Sequence, residues 1–238
     1  MIHNAYYWSQ YFRAEFVPQL SALVDVLENR ILPGFEDIED EAKRVTDDAW
    51  KRFMSMPSTG EEDPSEFAEK AEQVGVSHYF LLVGVRQGML NLFAAALYHT
   101  LEQQIMLLHR KEVLRPSEED NLSLLKLSEF QIRLSKIGID ITKFTSWPMI
   151  DELRLAANVV KHGDGGAAKK LHERRPDLFE NPHTASIGSL KARGPRVFQP
   201  LVGDDLYVSL KDLKRYGESC VGFWHELSDA LKNTEHTT

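Results

Sequence analysis

SHYFLLVGVRQGMLNLFAAALYHTLEQQIMLLHRKEV, Ser77 to Val113, runs for more than thirty residues without a proline. Its alanines, leucines and phenylalanines cover too much of a helical circumference for a surface helix, so the stretch predicts the central core helix of an all-α protein. Pro64 opens the helical region that leads into it, since proline is tolerated in a first turn. His99 and Glu102 sit three apart on its flank, a spacing that suits a structural hydrogen bond or the wall of a cleft. As a metal pair they lack further ligands, so no metal site is expected.

Upstream, Phe12, Phe16, Leu20, Leu23, Leu27 and Ile31 recur at helical spacing and predict an amphipathic helix from Trp8 to Leu32, bent at Pro18. Pro33-Gly34 breaks the chain, and Ile38, Ala42, Val45, Ala49 and Phe53 mark a second helix from Phe35 to Met54. The short turn between them predicts an antiparallel hairpin over residues 1–56, packed on the main bundle. Pro57 to Ser65, PSTGEEDPS, has no apolar anchor and reads as the linker to a main domain, residues 64–238. Ser117 is expected to cap a turn before a helix from Leu122 to Ile137, which Gly138 ends. Ser146 is expected to cap the next helix, with Pro148 in its first turn. A short helix near Ala167 to Arg174 and a loop from Asn181 to Pro195 follow. VFQPLVGDDLYVS, Val197 to Ser209, then has the composition of a small β-hairpin turning at Gly203-Asp204-Asp205. Ser209 and Asp212 form a capping box for a last helix that buries Leu213, Tyr216, Cys220, Phe223, Trp224 and Leu227.

A chain of 238 residues with 42% hydrophobic content can bury a substantial core. The lone cysteine, Cys220, excludes a disulfide within one chain and a cysteine-rich zinc site. The amino terminus lacks the basic start and apolar run of a secretion signal, and no stretch reads as a membrane span, which points to the cytoplasm. A net charge of −8 argues against nonspecific coating of nucleic acid, which rests on many phosphate neutralisations. A local basic site is still open, because Lys161, Lys169, Lys170, Arg174 and Arg175 gather in one stretch.

Glu152 to Gly165, ELRLAANVVKHGDG, carries the candidate chemistry. Steps of four residues stack side chains along a helix, so Arg154, Asn158 and His162 form a ridge, joined on the same third of the circumference by Asp151 and Lys161. Leu153, Ala156, Ala157 and Val160 fill the other side. A helix buried on most of its surface must turn such a stripe toward a cleft, a partner chain or a strip of solvent. Arginine supplies a fixed cation for phosphate, and histidine a proton donor or acceptor near neutral pH. The plainer reading pairs Arg154 with Asp151 or Glu152 and lets His162 end the helix before Gly163. HGDGG lacks the lysine and hydroxyl of a phosphate loop and follows a helix, so it reads as a C-cap.

ALYHTLEQQ in a core helix followed by WPMIDELRLAANVVKHG resembles the HEPN superfamily over roughly Ser77 to Gly163. The resemblance implies a HEPN-like helical bundle and a metal-independent endoribonuclease of antiviral defence or toxin–antitoxin type, needing no cofactor. It implies RNA as partner, a homodimer that brings two motifs together, and an antitoxin or defence partner protein. By the same resemblance, Arg154, Asn158 and His162 are catalytic; Lys161 and Asp151 on the same stripe, His99 and Glu102 on the core-helix flank, and Lys169 and Lys170 in the basic stretch are the candidates for binding RNA or a partner. One departure stands out: seven residues separate Arg154 from His162, where the family usually has four to six. The two lie about 12 Å apart along the axis, so they meet between chains or the site is degenerate. The alternative is a non-catalytic helical module that binds RNA, a nucleotide or a protein.

Overall fold

Asp63 starts the longest helix: its carboxylate accepts the Ser65 amide at 2.8 Å, and Pro64 takes a first-turn position where its missing N–H costs nothing. This helix, α4 in the order below, spans Pro64–Leu108, 45 residues, about 68 Å at 1.5 Å per residue. The structure is a computed structural model that describes residues 4–56, 63–182, 197–198 and 205–235. Among the described residues the regular elements are all helical.

The C-terminal half of α4 is the axis of the core. Leu90, Ala94, Leu97, Leu101, Ile105 and Leu108 are buried at spacings of three and four. The first helical run comprises α1 (Ala5–Tyr11), a π-helical turn (Phe12–Phe16) and α2 (Val17–Val26). Pro18 is the second residue after the widened turn, where the loss of its N–H is accommodated. α2, α6 (Trp147–His162) and α8 (Leu210–Glu235) all pack on α4. One buried amide holds three of these elements in register: Gln104 Nε2 donates to Phe16 O at 3.1 Å and Gln19 Oε1 at 3.2 Å, while its Oε1 accepts Trp224 Nε1 at 2.9 Å. Trp224 also packs on Phe12 and Phe16, with ring centroids 4.5 and 4.7 Å away.

α3 (Ile38–Met54) follows a 3₁₀ turn, Leu32–Phe35, and packs chiefly on the N-terminal half of α4. The first run packs chiefly on α8 and less on α4, whereas α3 packs on α4. α3 and α4 together project as a two-helix arm. Their seam is made of small residues, Ala42, Ala49, Ala71 and Gly75. A Cβ on Gly75 would lie 1.8 Å from Thr46 Oγ1 and 2.9 Å from the Ala42 carbonyl oxygen. Gly75→Val is therefore expected to force the helices apart and cost about 1–3 kcal/mol, read as a lower denaturant midpoint with helical circular dichroism retained.

The region after α4 departs from the expected single helix. Glu118, not Ser117, closes the turn, accepting the Arg115 amide at 2.9 Å and two hydrogen bonds from Arg133 at 2.8 and 3.0 Å. The helix expected from Leu122 divides into a 3₁₀ turn, Leu122–Leu124, and α5 (Leu127–Ser135). Gly138 follows with φ +85°, a conformation that favours glycine. The expected β-hairpin has no strand among its described residues, and its turn residues Gly203 and Asp204 lie outside them. Backbone groups that a hairpin would pair are taken otherwise: Asn91 Nδ2 donates to Leu206 O at 2.8 Å, Gln87 Nε2 to Val208 O at 3.0 Å, and Tyr207 N to Leu178 O at 2.8 Å. The capping box of α8 is present, with Ser209 N 3.1 Å from Asp212 Oδ2 and Asp212 N 3.1 Å from Ser209 Oγ.

His109 is fully buried at the end of α4, against the edge of Phe130. Its Nε2 lies 2.9 Å from the Leu124 carbonyl and so carries the hydrogen, while Nδ1 is buried without a partner. Burial holds its pKa below the ordinary histidine value, against the opposing pull of the Leu124 carbonyl. A lowered histidine pKa means that the unfolded chain takes up the proton first. Stability is therefore full above about pH 6.5 and falls as pH drops through the folded pKa. Between pH 7.5 and 5.5 the parent should lose thermal stability, and His109→Leu should lose less over the same interval, as read by melting curves at both pH values.

Candidate functional site

α6 begins with help from a distant residue. The Ser146 side chain does not cap its own helix; Glu226 of α8 accepts the Thr145 amide at 2.7 Å and the Ser146 amide at 3.1 Å, and also takes the Ser146 hydroxyl proton. Burial pushes the Glu226 carboxyl up, but these hydrogen bonds outweigh it and hold the group below the usual range. A carboxylate at a helix N-terminus is favoured by both the orphan amides and the dipole. At the other end Gly163 has φ +66°, and a Cβ there would lie 2.7 Å from the Phe198 carbonyl oxygen. Asp164 then binds the Val197 backbone through two hydrogen bonds, at 2.6 and 2.9 Å. The HGDGG segment thus closes the helix as a C-cap and anchors a neighbouring strip of chain.

Ile150, Leu153, Leu155, Ala156, Ala157 and Val159 are buried, which fixes the roll of α6 and turns its polar stripe outward. A cleft of about 620 Å³ lies there, between α4, α5 and α6. Arg154, Asn158, Lys161 and Asp151 line it from α6, and Glu102 lines it from α4. Arg154 Nε and Nη2 both donate to Asp151 Oδ1, at 3.0 and 2.7 Å. Arg174 of α7 (Gly166–Arg174) meets the other oxygen of Asp151 at 2.7 Å. Burial raises the Asp151 pKa, but the two guanidinium groups win and hold it below the ordinary carboxylate range.

The remaining sequence candidates stand apart from this cleft. His162 is exposed at the C-terminal end of α6 and does not line it. His99 is exposed on α4, 3.9 Å from Glu102 Oε2 and 2.9 Å from Gln103 Nε2. Lys169 and Lys170 are exposed on α7. Among the described residues no group of three or more histidine, cysteine or carboxylate side chains is placed to hold a metal ion.

Sequence reasoning passed over four polar wall residues: Tyr98, Ser128, Gln131 and Trp147. Tyr98 is buried, yet its oxygen feels the charges of Glu102, Arg154 and Asp151. Burial, reinforced by Glu102, pushes its pKa up to about 12, so the phenol is a neutral donor. Its position four residues before Glu102 in ALYHTLE was the available signal.

A half-buried arginine fixes α6 relative to the rest. Arg175 Nη1 donates to Glu152 of α6 at 2.7 Å, Nη2 to Asp212 of α8 at 2.9 Å, and Nε and Nη2 to Asp177 at 2.9 and 2.6 Å. Tyr216 donates to the same Glu152 oxygen at 2.9 Å. Removing one partner of such a cluster leaves buried charge uncompensated, so Arg175→Ala should cost about 3–5 kcal/mol, measured by urea unfolding.

Comparison of the chain with protein-family models, with curated proteins and with solved structures found no match.

Proposed function

We propose that this chain is a HEPN-like, metal-independent endoribonuclease of antiviral defence or toxin–antitoxin type, working as a homodimer under the control of a partner protein. The observation that carries this reading is the convergence of Arg154, Asn158 and Lys161 on one cleft, with an exposed His162 at the end of the same helix. Within one chain the arginine and histidine are separated by about 12 Å of helix. The reading therefore takes Arg154 from one chain and His162 from another. His162 removes the proton from an RNA 2′-hydroxyl as the oxygen attacks the adjacent phosphorus, and the P–O5′ bond breaks, the departing 5′-oxygen taking a proton from solvent. Arg154 stabilises the charge that develops, and the product carries a 2′,3′-cyclic phosphate.

The assay is cleavage of total RNA in EDTA. Arg154→Ala and His162→Ala should each lose about 10²–10⁴-fold. An equimolar mixture of the two should recover about a quarter of parent activity, because half the dimers are mixed and each mixed dimer has one intact composite site. Full activity in either variant overturns the assignment, and failure of the mixture to recover overturns its intermolecular form.

The pairing of Arg154 with Asp151 favours a second reading, a non-catalytic module that binds RNA, a nucleotide or a protein in the same cleft. It is distinguished by retained RNA binding without cleavage.

A further inference from the structure

The α3–α4 arm exposes an apolar seam that is continuous with the core. The face of α4 that buries Leu90, Ala94, Leu97 and Leu101 continues toward the start of the helix through Val83, two turns before Leu90, and then through Phe80 and Val76. Inside the body this face is covered by other helices; on the arm it is open among the described residues, with Phe80 60% and Val76 47% exposed. The seam forms a groove of about 720 Å³ between α3 and α4, floored by Val76, Tyr79, Phe80 and Trp50. A contiguous exposed apolar face on a soluble chain marks an interaction surface.

We propose that the occupant is the same arm of a second copy, laid antiparallel to make a four-helix bundle. The charge pattern of α3 selects this partner. Glu36 and Asp37 just before it and Glu39, Asp40 and Glu41 in its first turn make its leading end acidic, whereas Lys43, Arg44, Lys51 and Arg52 outnumber Asp47 and Asp48 in the rest. Under a two-fold axis the acidic end of one α3 faces the basic end of the other, so the pattern is self-complementary. Groove-lining residues Glu39, Lys43, Asp47 and Glu72 supply the polar border of a protein interface. A bilayer core would desolvate those charges at high cost, although the Pro64–Val113 helix is long and apolar enough to cross a membrane, with a mean hydropathy of 1.6 in its most apolar window.

The size is also suitable. A face about 25 Å long and two helices wide, about 20 Å, gives roughly 500 Å² per arm and about 1,000 Å² in all, the lower limit for a specific interface. A dimer that dissociates in the micromolar range is the expected outcome.

Sedimentation velocity of the full chain over a concentration series tests this. The parent should pass from monomer to dimer. Phe80→Glu should weaken the dimer at least about tenfold while keeping the parent's circular dichroism, since the side chain is already exposed. Lys51→Glu/Arg52→Glu and Glu39→Lys/Asp40→Lys should each fail to dimerise alone, and an equimolar mixture should form the heterodimer. A parent that stays monomeric, a Phe80→Glu protein that dimerises like the parent, or charge-reversed variants that are indifferent to mixing would overturn the proposal. So would a monomer that co-sediments with phosphatidylcholine vesicles.

Discussion

The placement of α6 depends on Arg175. Its guanidinium reaches Glu152 on α6, Asp177 beside α7 and Asp212 at the start of α8, all from one half-buried position. The arrangement is costly to desolvate, and an apolar cluster of the same volume could be as stable. What it adds is geometry. A planar fork with directed donors admits one mutual arrangement of three carboxylates, whereas apolar side chains tolerate sliding. Glu226 performs a related task at the N-terminus of α6, where a side chain from α8 replaces a local cap. Two points in the N-terminal half of the site helix are thus registered against distant parts of the chain.

That registration explains the electrostatics of the cleft. Arg154 is held by Asp151, and Asp151 is shared with Arg174, so the positive charge at the site belongs to a cluster. Exchange of a carboxylate for an incoming phosphate requires Asp151 to release Arg154 while keeping Arg174. A chain of net charge −8 has no broad positive field to draw in RNA. Recognition in this cleft would have to rest on its local donors, which include the neutral Tyr98 hydroxyl and the Asn158 and Gln131 amides.

What could be read from sequence follows the range of the interaction. Apolar periodicity located α4, α6 and α8, because every three or four residues repeats the same burial decision. The α8 capping box and the Gly163 cap were legible for the same reason: their partners lie within a few positions. Arg154 with Asp151 was legible as one of two local pairings. The Glu226 cap and the bonds of Arg175 to Glu152 and Asp212 were not, since their partners stand 23 to 81 positions away. The packing of α3 was missed for another reason. A short turn predicts that two helices are adjacent, but the small-residue seam at Ala42 and Gly75 offered α3 a closer partner in α4.

The length of α4 separates two contacts that a single word, dimer, would merge. Phe80 on the arm and Glu102 at the cleft are 22 residues apart on one helix, about 33 Å along its axis. Arms paired antiparallel therefore send the two bodies in opposite directions and leave their clefts roughly 65 Å apart. Arg154 of one chain cannot meet His162 of the other across that distance. A composite site requires a second interface, at the exposed end of α6, engaged only on RNA, so that the RNA-free chain pairs through the arm alone. The two proposals, arm pairing and RNA cleavage, are accordingly independent: loss of pairing through Phe80 leaves the cleavage reading standing, and absence of cleavage leaves the pairing standing.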